Sequence, residues 1–222
     1  MRRRNGIPLG TVLKTLGKVY APPKTFLHFR TPLDLAVAVI LSAQCTDKRV
    51  NIVTETILYP KYKTAHDYLN VSRQELERDV HSCGTFRMKA KHIQEMCGLL
   101  IERHKGKIPK TMEELTALPG IGRKTANVIL SAAFDINVGI AVDTHVIRVA
   151  QRLGLTTHSD PKKIELDLIP YAPRKEWRRV TTLLISLGRD VCTARNRACV
   201  RCPFAKKCPS SLVMGKKNLA KK

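Results

Sequence analysis

The chain is poor in aromatic residues and contains no long hydrophobic run. Phe, Trp and Tyr make up 5% of its 222 residues, which argues against a sheet that stacks several exposed bases on aromatic rings. The longest unbroken apolar run spans residues 35–41, whereas a membrane-spanning helix needs about 20 apolar residues. Lys14 and Lys18 interrupt the apolar stretch that a signal peptide would need after the basic residues 2–4. We therefore expect a protein that stays inside the cell, in the cytoplasm if the cell is a prokaryote.

Acidic residues are also scarce, and basic residues are concentrated at the two ends of the chain. Forty Lys and Arg stand against 18 Asp and Glu, which gives a net charge of +22. Residues 1–24 hold six basic and no acidic residues, and residues 188–222 hold ten basic and one acidic. Because such self-repulsion adds nothing to the stability of a compact domain, it predicts a polyanionic partner, and a duplex backbone fits better than a membrane. A basic chain that is merely soluble is the alternative.

The spacing of apolar residues predicts helices along almost the whole chain. Apolar positions recur at intervals typical of helices, and strict alternation is not found. The nearly all-apolar stretch 33–44 predicts a buried helix, and capping patterns predict helix starts at Ser72, Thr111 and Asp160. With 43% apolar residues, the chain can bury a sizeable core, and we expect an all-α fold. Two buried stripes are also predicted: Ala90, Ile93, Cys97 and Leu100, and Trp177, Val180, Leu183, Leu184 and Leu187.

Residues 115–134 read LTALPGIGRKTANVILSAAF and predict a helical hairpin. A short helix from Thr111 would end at Leu118, and a second would run from about 123 to 134. Gly120 and Gly122 suit a tight turn whose N–H groups point outward, and with the positive end of the second helix they would cradle a phosphate. This helix-hairpin-helix layout grips the DNA backbone without reading bases. The alternative is an ordinary turn between two helices that needs glycine for steric reasons.

Lys124 and Asp143 are candidate catalytic residues next to predicted helix N-termini. Lys124 falls in the first turn of the second helix, where the helix dipole disfavours a cation by roughly 0.3–1 kcal/mol. A surface lysine that touches a phosphate would explain it, and so would a partly desolvated, neutral amine that forms a Schiff base. Asp143 would cap a helix that runs to about Leu153, a role that is compatible with catalysis. His145 is interpreted as a surface residue or a DNA contact.

Seven cysteines occur, and four of them lie close together near the C-terminus. An odd number of cysteines in an intracellular chain argues against disulfides. The spacing C-x6-C-x2-C-x5-C contains one C-x2-C pair, so it favours an iron–sulfur cluster over structural zinc without excluding zinc. Arg195 and Arg197 lie among these cysteines and would offer cations to phosphate. The candidate metal ligands are Cys192, Cys199, Cys202 and Cys208, whereas Cys45, Cys83 and Cys97 are expected to be buried small apolar residues.

Three motifs in this order resemble the endonuclease III family. They are the hairpin LPGIGRKTANVIL, the segment VDTHV at 142–146 and the spacing of the last four cysteines. The segment ILSAQCTDKRVN at 40–51 is also similar to that family, so the resemblance covers most of the chain. The family comprises DNA glycosylases of the helix-hairpin-helix superfamily that carry a 4Fe-4S cluster.

The resemblance implies two helical lobes that flank a cleft for DNA. A helical barrel that contains the hairpin would span residues 25–136. A cluster domain would join residues 1–24 to 137–212, and residues 213–222 would form a basic tail. The implied partner is double-stranded DNA that contains damaged bases or abasic sites, and we expect a monomer.

The resemblance also implies a mechanism for base removal. A damaged nucleotide would be flipped out of the duplex, Lys124 would attack C1′ and displace the base, and Asp143 would assist as a base or as an electrostatic stabiliser. The resulting Schiff base would permit β-elimination, which nicks the strand. Gln44 would fill the hole that the flipped base leaves, and His145 would lie near the extruded nucleotide.

One loop departs from the family pattern. The family places a bulky apolar wedge between bases in the loop after Cys83, and here Thr85 occupies that place with Phe86 beside it. Either Phe86 inserts between the bases in its place, or the protein contacts the two DNA strands in a different way. The sequence leaves both interpretations open.

Several functions remain in competition at this point. The first is a bifunctional glycosylase and lyase for oxidised or reduced pyrimidines. The rival is a monofunctional mismatch glycosylase for thymine, uracil or adenine. Such relatives generally lack a lysine at the position that matches Lys124. The adenine-specific ones also have a glutamate in the segment that matches residues 40–46, where this chain has none. A non-catalytic DNA-binding module would leave Lys124 with Asp143 unexplained. A zinc-stabilised interaction domain would leave the hairpin unexplained.

Overall fold

The computed structural model describes residues 6–21 and 23–213, and it contains helices but no strand within them. The all-α prediction is therefore confirmed. The predicted basic tail, residues 213–222, lies outside the described residues except for its first. None of the helices in the described ranges combines the length and apolar character that crossing a membrane requires.

The chain divides into two compact units. The contiguous unit is Thr25–Val138, and the split unit joins Met1–Lys24 to Gly139–Lys222. A π-helical turn spans Thr54–Leu58. In chain order the α-helices are α1 (Leu9–Val19), α2 (Pro32–Leu41), α3 (Asp47–Val53), α4 (Tyr59–Lys61), α5 (Ala65–Asn70), α6 (Arg73–Val80), α7 (Phe86–His104), α8 (Met112–Thr116), α9 (Arg123–Phe134), α10 (Thr144–Arg152), α11 (Pro161–Leu168) and α12 (Trp177–Asp190). Short 3-10 turns span His81–Cys83, Ile169–Tyr171, Arg174–Glu176 and Cys199–Arg201.

Helix α2 is the buried centre of the contiguous unit. Every residue from 33 to 41 is buried, as the apolar run predicts. The helix starts in a full capping box, because the Thr31 hydroxyl accepts from the Asp34 N–H at 3.1 Å while the Asp34 carboxylate accepts from the Thr31 N–H at 3.0 Å. It ends at Leu41 rather than at residue 44, because the backbone turns there and Gln44 adopts a left-handed conformation with φ +53°.

Helix α7 covers α2, α5 and α6. The predicted stripe of Ala90, Ile93, Cys97 and Leu100 is fully buried against them, so this prediction is confirmed. Helix α9 packs on α2 and α8. The second helix of the hairpin therefore rests directly on the core of the contiguous unit.

In the split unit, α12 packs against α1 and α10. Four of the five predicted stripe residues on α12 are fully buried, from Val180 to Leu187. Trp177 is half-buried, and its indole N–H donates to the Ala172 carbonyl at 3.0 Å. The Ile7 N–H donates to the carbonyl of Leu153 at 3.0 Å and so attaches the N-terminal segment to the end of α10.

The predicted helix starts at Ser72, Thr111 and Asp160 are confirmed. Each side-chain oxygen accepts the backbone N–H three residues further on, at 3.2, 3.2 and 3.0 Å respectively. The glutamates of the first two patterns have other partners, because Glu75 pairs with Lys61 at 2.6 Å and the Thr111 hydroxyl donates to the Glu114 carboxylate at 2.6 Å. These starts therefore depend on a single capping bond to the backbone.

The helical hairpin has the predicted order, and its two glycines differ in why they are needed. Gly120 has φ +80°, and a Cβ at this position would lie 3.1 Å from the Cβ of His92 and 3.2 Å from the Cγ1 of Ile40. Gly122 caps α9 with an ordinary φ of −92°, and a Cβ there would meet no atom within 4 Å. The steric explanation for glycine therefore holds at Gly120 only.

We expect Gly120→Ala to destabilise the protein much more than Gly122→Ala. A left-handed alanine costs roughly 1–2 kcal/mol before the crowding by His92 and Ile40 is added. At Gly122, alanine caps the helix less well, which destabilises the fold, but it also lowers the entropy of the unfolded chain, which stabilises it. The free energy of unfolding therefore changes by less than about 1 kcal/mol. Urea unfolding followed by circular dichroism measures both variants, and an equal loss of stability would contradict the assignment.

Candidate functional site

Lys124 lies in the first turn of α9, two residues after its glycine cap. The first turn contains no acidic residue, and Gly122 provides no side-chain capping bond. The positive end of the α9 dipole therefore acts directly on the amine. The side chain is exposed to solvent in the protein alone, as a surface lysine would be, and partial desolvation, the other explanation, is not present there.

Asp143 caps α10, as the sequence predicts. Its Oδ1 accepts the Val146 N–H at 2.8 Å, and the residue is half-buried. The extended segment before it is anchored on both sides, because the Ile140 N–H donates to the Glu165 carboxylate at 3.1 Å and the Ala141 carbonyl accepts the Thr181 hydroxyl at 2.9 Å. The carboxylate is thus held rigidly and remains partly accessible.

His145 lies on α10 within a network that leads to the cysteines. Its Nδ1 is 3.0 Å from the guanidinium of Arg148, which also donates to the carbonyls of Gly188 and Cys192 at 3.0 Å each. The imidazole is half-buried. Sequence analysis leaves its role undecided, and the structure connects it to the backbone next to a candidate metal ligand.

Two exposed residues of the contiguous unit have strained backbones. Gln44 (φ +53°) lies in the Gln44 turn, residues 42–46, and Thr85 (φ +43°) lies in the Thr85 turn, residues 83–86. The other left-handed non-glycine residues are the C-caps Lys105 and Asp135, a position where this conformation is common. Thr85 is the N-cap of α7, where an extended backbone is usual, and Gln44 is not a helix cap. The C-cap explanation therefore applies to neither residue, and such strain clusters at functional sites.

Phe86 is held in place, whereas Thr85 is exposed. The Phe86 ring is half-buried and packs on the His81 ring with centroids 4.5 Å apart, and the guanidinium of Arg87 lies 5.5 Å from its centroid. The side chain that occupies the wedge position of the family is therefore the small polar one.

The four C-terminal cysteines line one cavity in the split unit. The cavity holds about 360 Å³ of space including its open mouth, and Arg152, Leu187 and Arg197 also line it. Among the residues that the structure describes, no three His, Cys, Asp or Glu side chains are placed to hold a single metal ion. A tetrahedral zinc would bring its sulfurs to about 4 Å from one another, since Zn–S bonds are about 2.3 Å long. A cubane cluster binds each of its four thiolates through a different iron and needs wider spacing than a single zinc ion.

Burial raises the pKa of the Cys202 and Cys208 thiols, and negative charge on Cys192 and Cys199 raises it further. The four sulfurs are therefore close enough to repel one another when deprotonated. A cationic iron core would relieve this repulsion.

Arg152 holds the cysteine loop, residues 192–208, against α10. Its guanidinium donates to the Thr193 carbonyl at 2.7 Å, to the carbonyl and sulfur of Cys192 at 3.3 Å each, and to the Ala194 carbonyl at 3.2 Å. The Cys208 thiol donates back to the Arg152 carbonyl at 3.1 Å. The sequence does not single out this arginine, apart from its i, i+4 spacing from Arg148.

The residues predicted to contact DNA lie in both units. Arg195 is exposed in the cysteine loop, and Arg197 is half-buried. The structure groups the predicted site residues by unit: Gln44, Thr85, Phe86, Gly120, Gly122 and Lys124 in the contiguous unit, and Asp143, His145, Arg195, Arg197, Cys192, Cys199, Cys202 and Cys208 in the split unit.

Comparison with known proteins agrees with these features. Residues 37–173 match the family model of the HhH-GPD superfamily base excision DNA repair proteins. Endonuclease III of Synechocystis sp. (strain ATCC 27184 / PCC 6803 / Kazusa) is 48% identical over 200 residues, which cover 90% of this chain and 91% of that protein.

Two solved structures have the same fold at 42% sequence identity. A non-covalent endonuclease III–DNA complex matches with a TM-score of 0.87 over 96% of this chain and 97% of that one. A trapped endonuclease III–DNA covalent intermediate matches with a TM-score of 0.86 over 95% and 97% respectively. The resemblance seen in the sequence is thereby confirmed, and the chain belongs to the endonuclease III family of base excision DNA repair proteins.

Proposed function

We propose that Lys124 is the nucleophile of this bifunctional DNA glycosylase and AP lyase, and that its substrates are oxidised or reduced pyrimidines in duplex DNA. The observation that carries the proposal is an exposed amine in the first turn of α9, directly behind a glycine cap. A related protein of the same fold has been trapped in a covalent intermediate with DNA, as expected of an enzyme that uses an amine nucleophile. A non-catalytic clamp would not need this amine.

The chemistry follows from what an amine and a carboxylate can do at a flipped nucleotide. The Nζ of Lys124 bonds to C1′ as the bond from C1′ to the base breaks, and the electron pair leaves with the base. The amine loses a proton, the C1′–O4′ bond of the sugar ring then breaks with its electron pair going to O4′, which is protonated, and a protonated Schiff base forms at C1′. This Schiff base makes the 2′ proton acidic, and removal of that proton expels the 3′ phosphate oxygen by β-elimination. Asp143 either takes a proton from the amine or stabilises positive charge on the sugar.

The hairpin provides the grip on the duplex backbone. A phosphate can approach the N-terminus of α9 closely because Gly122 has no Cβ and the space beside it is open. The charge of Arg123 adds to the helix dipole there. Such a contact positions the DNA without reading its sequence.

Other residues would contact the extruded nucleotide and the base with which it was paired. We propose that Gln44 fills the gap that the flipped base leaves in the DNA stack and that Thr85 contacts the opposite strand. Both residues are exposed and have a strained backbone. Phe86 would support Thr85 from its packed position on His81. His145 would face the flipped nucleotide.

The four cysteines at 192, 199, 202 and 208 would hold a 4Fe-4S cluster. When bound, the cluster would cross-link a loop that has little regular structure of its own. Arg152 keeps this loop against α10, and Arg195 and Arg197 would present their charges to phosphate. The protein would work inside the cell in association with DNA, as its basic surplus suggests.

Lys124→Ala should abolish covalent trapping by borohydride on a duplex that contains one thymine glycol, because the variant lacks the amine that we assign as the nucleophile. Affinity for the duplex should fall by less than about tenfold, since the hairpin and the other basic residues still contact the phosphates. Lys91→Ala, which removes an exposed lysine of α7, is the matched control and should trap like the wild type. Trapping by Lys124→Ala at the wild-type rate would overturn the assignment.

Asp143→Asn should slow base release by roughly 10²–10⁴-fold, because the carboxylate charge is lost while asparagine still caps α10. Asp160→Asn makes the same change at the cap of α11 and should leave single-turnover excision unchanged. Both variants should keep the wild-type melting temperature. A rate for Asp143→Asn within twofold of wild type would remove Asp143 from the mechanism.

Anaerobic purification should give a brown protein with about four iron and four sulfide per chain. Cys199→Ser should lower the iron content, whereas Cys97→Ala, a buried cysteine on α7, should retain it. Elemental analysis and the visible spectrum provide the measurement. A colourless protein with one zinc per chain would contradict the cluster.

A further inference from the structure

Met88 is the most exposed large apolar side chain in the part of the contiguous unit that the structure describes. It is 53% exposed, whereas Ile52 and Leu69 follow at 43% and 42%. It lies in the first turn of α7, three residues after Thr85. The other large apolar side chain of this turn, Phe86, is half-buried. Met88 is therefore the apolar side chain near Thr85 that a partner can reach.

The geometry of α7 places Met88 between the Thr85 turn and the hairpin. The Cα–Cβ bonds of a helix tilt toward its N-terminus, so the Met88 side chain leans toward the Thr85 turn that precedes it. Met88 and His92 are four residues apart and share one face of the helix. His92 lies against the hairpin, because a Cβ at Gly120 would be 3.1 Å from the Cβ of His92. Both turns belong to the proposed DNA contacts, so Met88 lies within that surface.

The backbone that carries Met88 is held firmly. The next residue, Lys89, is 3% exposed, and its ammonium donates to the Cys83 carbonyl at 2.7 Å. Its backbone N–H donates to the Thr85 carbonyl at 3.2 Å. These two bonds fix the first turn of α7 to the Thr85 turn. Met88 therefore loses little beyond its own rotamer freedom when a partner buries it.

The surroundings of Met88 suit a nucleic acid. The first turn of α7 contains no acidic residue, and Thr85 makes no side-chain capping bond there. The positive end of the helix dipole and the exposed side chain of Arg87 therefore favour negative charge beside the methionine. Stacked bases between phosphates provide an apolar surface that is flanked by such charge. Proteins that kink a duplex insert methionine and similar apolar side chains between its bases.

We propose that Met88 inserts between bases of the strand opposite the flipped nucleotide, and that it supplies the apolar wedge that Thr85 does not. Thr85 would contact the same strand beside it. Burial of the methionine would offset the cost of unstacking the bases. Met88 would position the DNA and take no part in the reaction. This inference rests on the proposed function, which places the Thr85 turn against the opposite strand.

Fluorescence of 2-aminopurine tests the insertion without any chemistry. The duplex carries a tetrahydrofuran abasic analogue, which has no base to release, opposite 2-aminopurine. Saturating wild type should raise the fluorescence, because insertion unstacks the 2-aminopurine. Met88→Ala should lose most of this rise, whereas Met88→Leu should retain it. Leu69→Ala is the matched control, because Leu69 has similar exposure and lies beside Gly98, about 15 Å further along α7. A full rise with Met88→Ala, or no rise with wild type, would overturn the proposal.

Single-turnover excision of thymine glycol tests whether the insertion supports base removal. Met88→Ala should be slower than wild type by about tenfold, since burial of a methionine side chain contributes at least that factor to the flipped state. Met88→Leu and Leu69→Ala should stay close to the wild-type rate. A wild-type rate for Met88→Ala would overturn the insertion. Failure of wild type to release thymine glycol would overturn the proposed function instead, and the fluorescence alone would then decide the role of Met88.

Discussion

A helix N-terminus fixes each of the two side chains that we assign to the chemistry. The first turn of any helix exposes N–H groups without partners inside the helix, and the dipole concentrates positive potential there. At α10 the carboxylate of Asp143 satisfies this need within the protein, at 2.8 Å from the Val146 N–H. At α9 the cap is a glycine without a side chain. The same physics therefore holds an anion rigidly at one helix and leaves the other open to a phosphate beside Lys124.

The N-terminus of α9 can bind a phosphate well because the turn before it is held rigidly. Gly120 has a left-handed backbone and lies where a Cβ would crowd Ile40 and His92, and Ile121 is buried beneath the turn. The hairpin is thereby fixed to α2, whose residues are buried along its whole length after the first. A backbone that is already ordered loses little entropy when it binds a phosphate. Arg152 fixes the cysteine loop in a similar way, because its guanidinium donates hydrogen bonds to the carbonyls of three successive residues there.

Features encoded by neighbouring residues could be predicted from the sequence, and features that depend on distant ones could not. The bounds of α9, the cap at Asp143 and the buried stripe of α7 follow from local spacing and capping chemistry, and the structure has all three. The early end of α2 depends on the left-handed Gln44. The bonds from Arg152 to the cysteine loop join residues about forty positions apart, and no local pattern announces them.

The cysteines illustrate this limit most directly. Their odd total argues against disulfides only if all seven share one environment. The structure separates them: four line a cavity in the split unit, Cys83 and Cys97 are buried in the contiguous unit as expected, and Cys45, also expected to be buried, is half-buried. The parity of the whole chain is therefore no guide to the state of a single cysteine, because reactivity depends on burial and on the charge beside the sulfur.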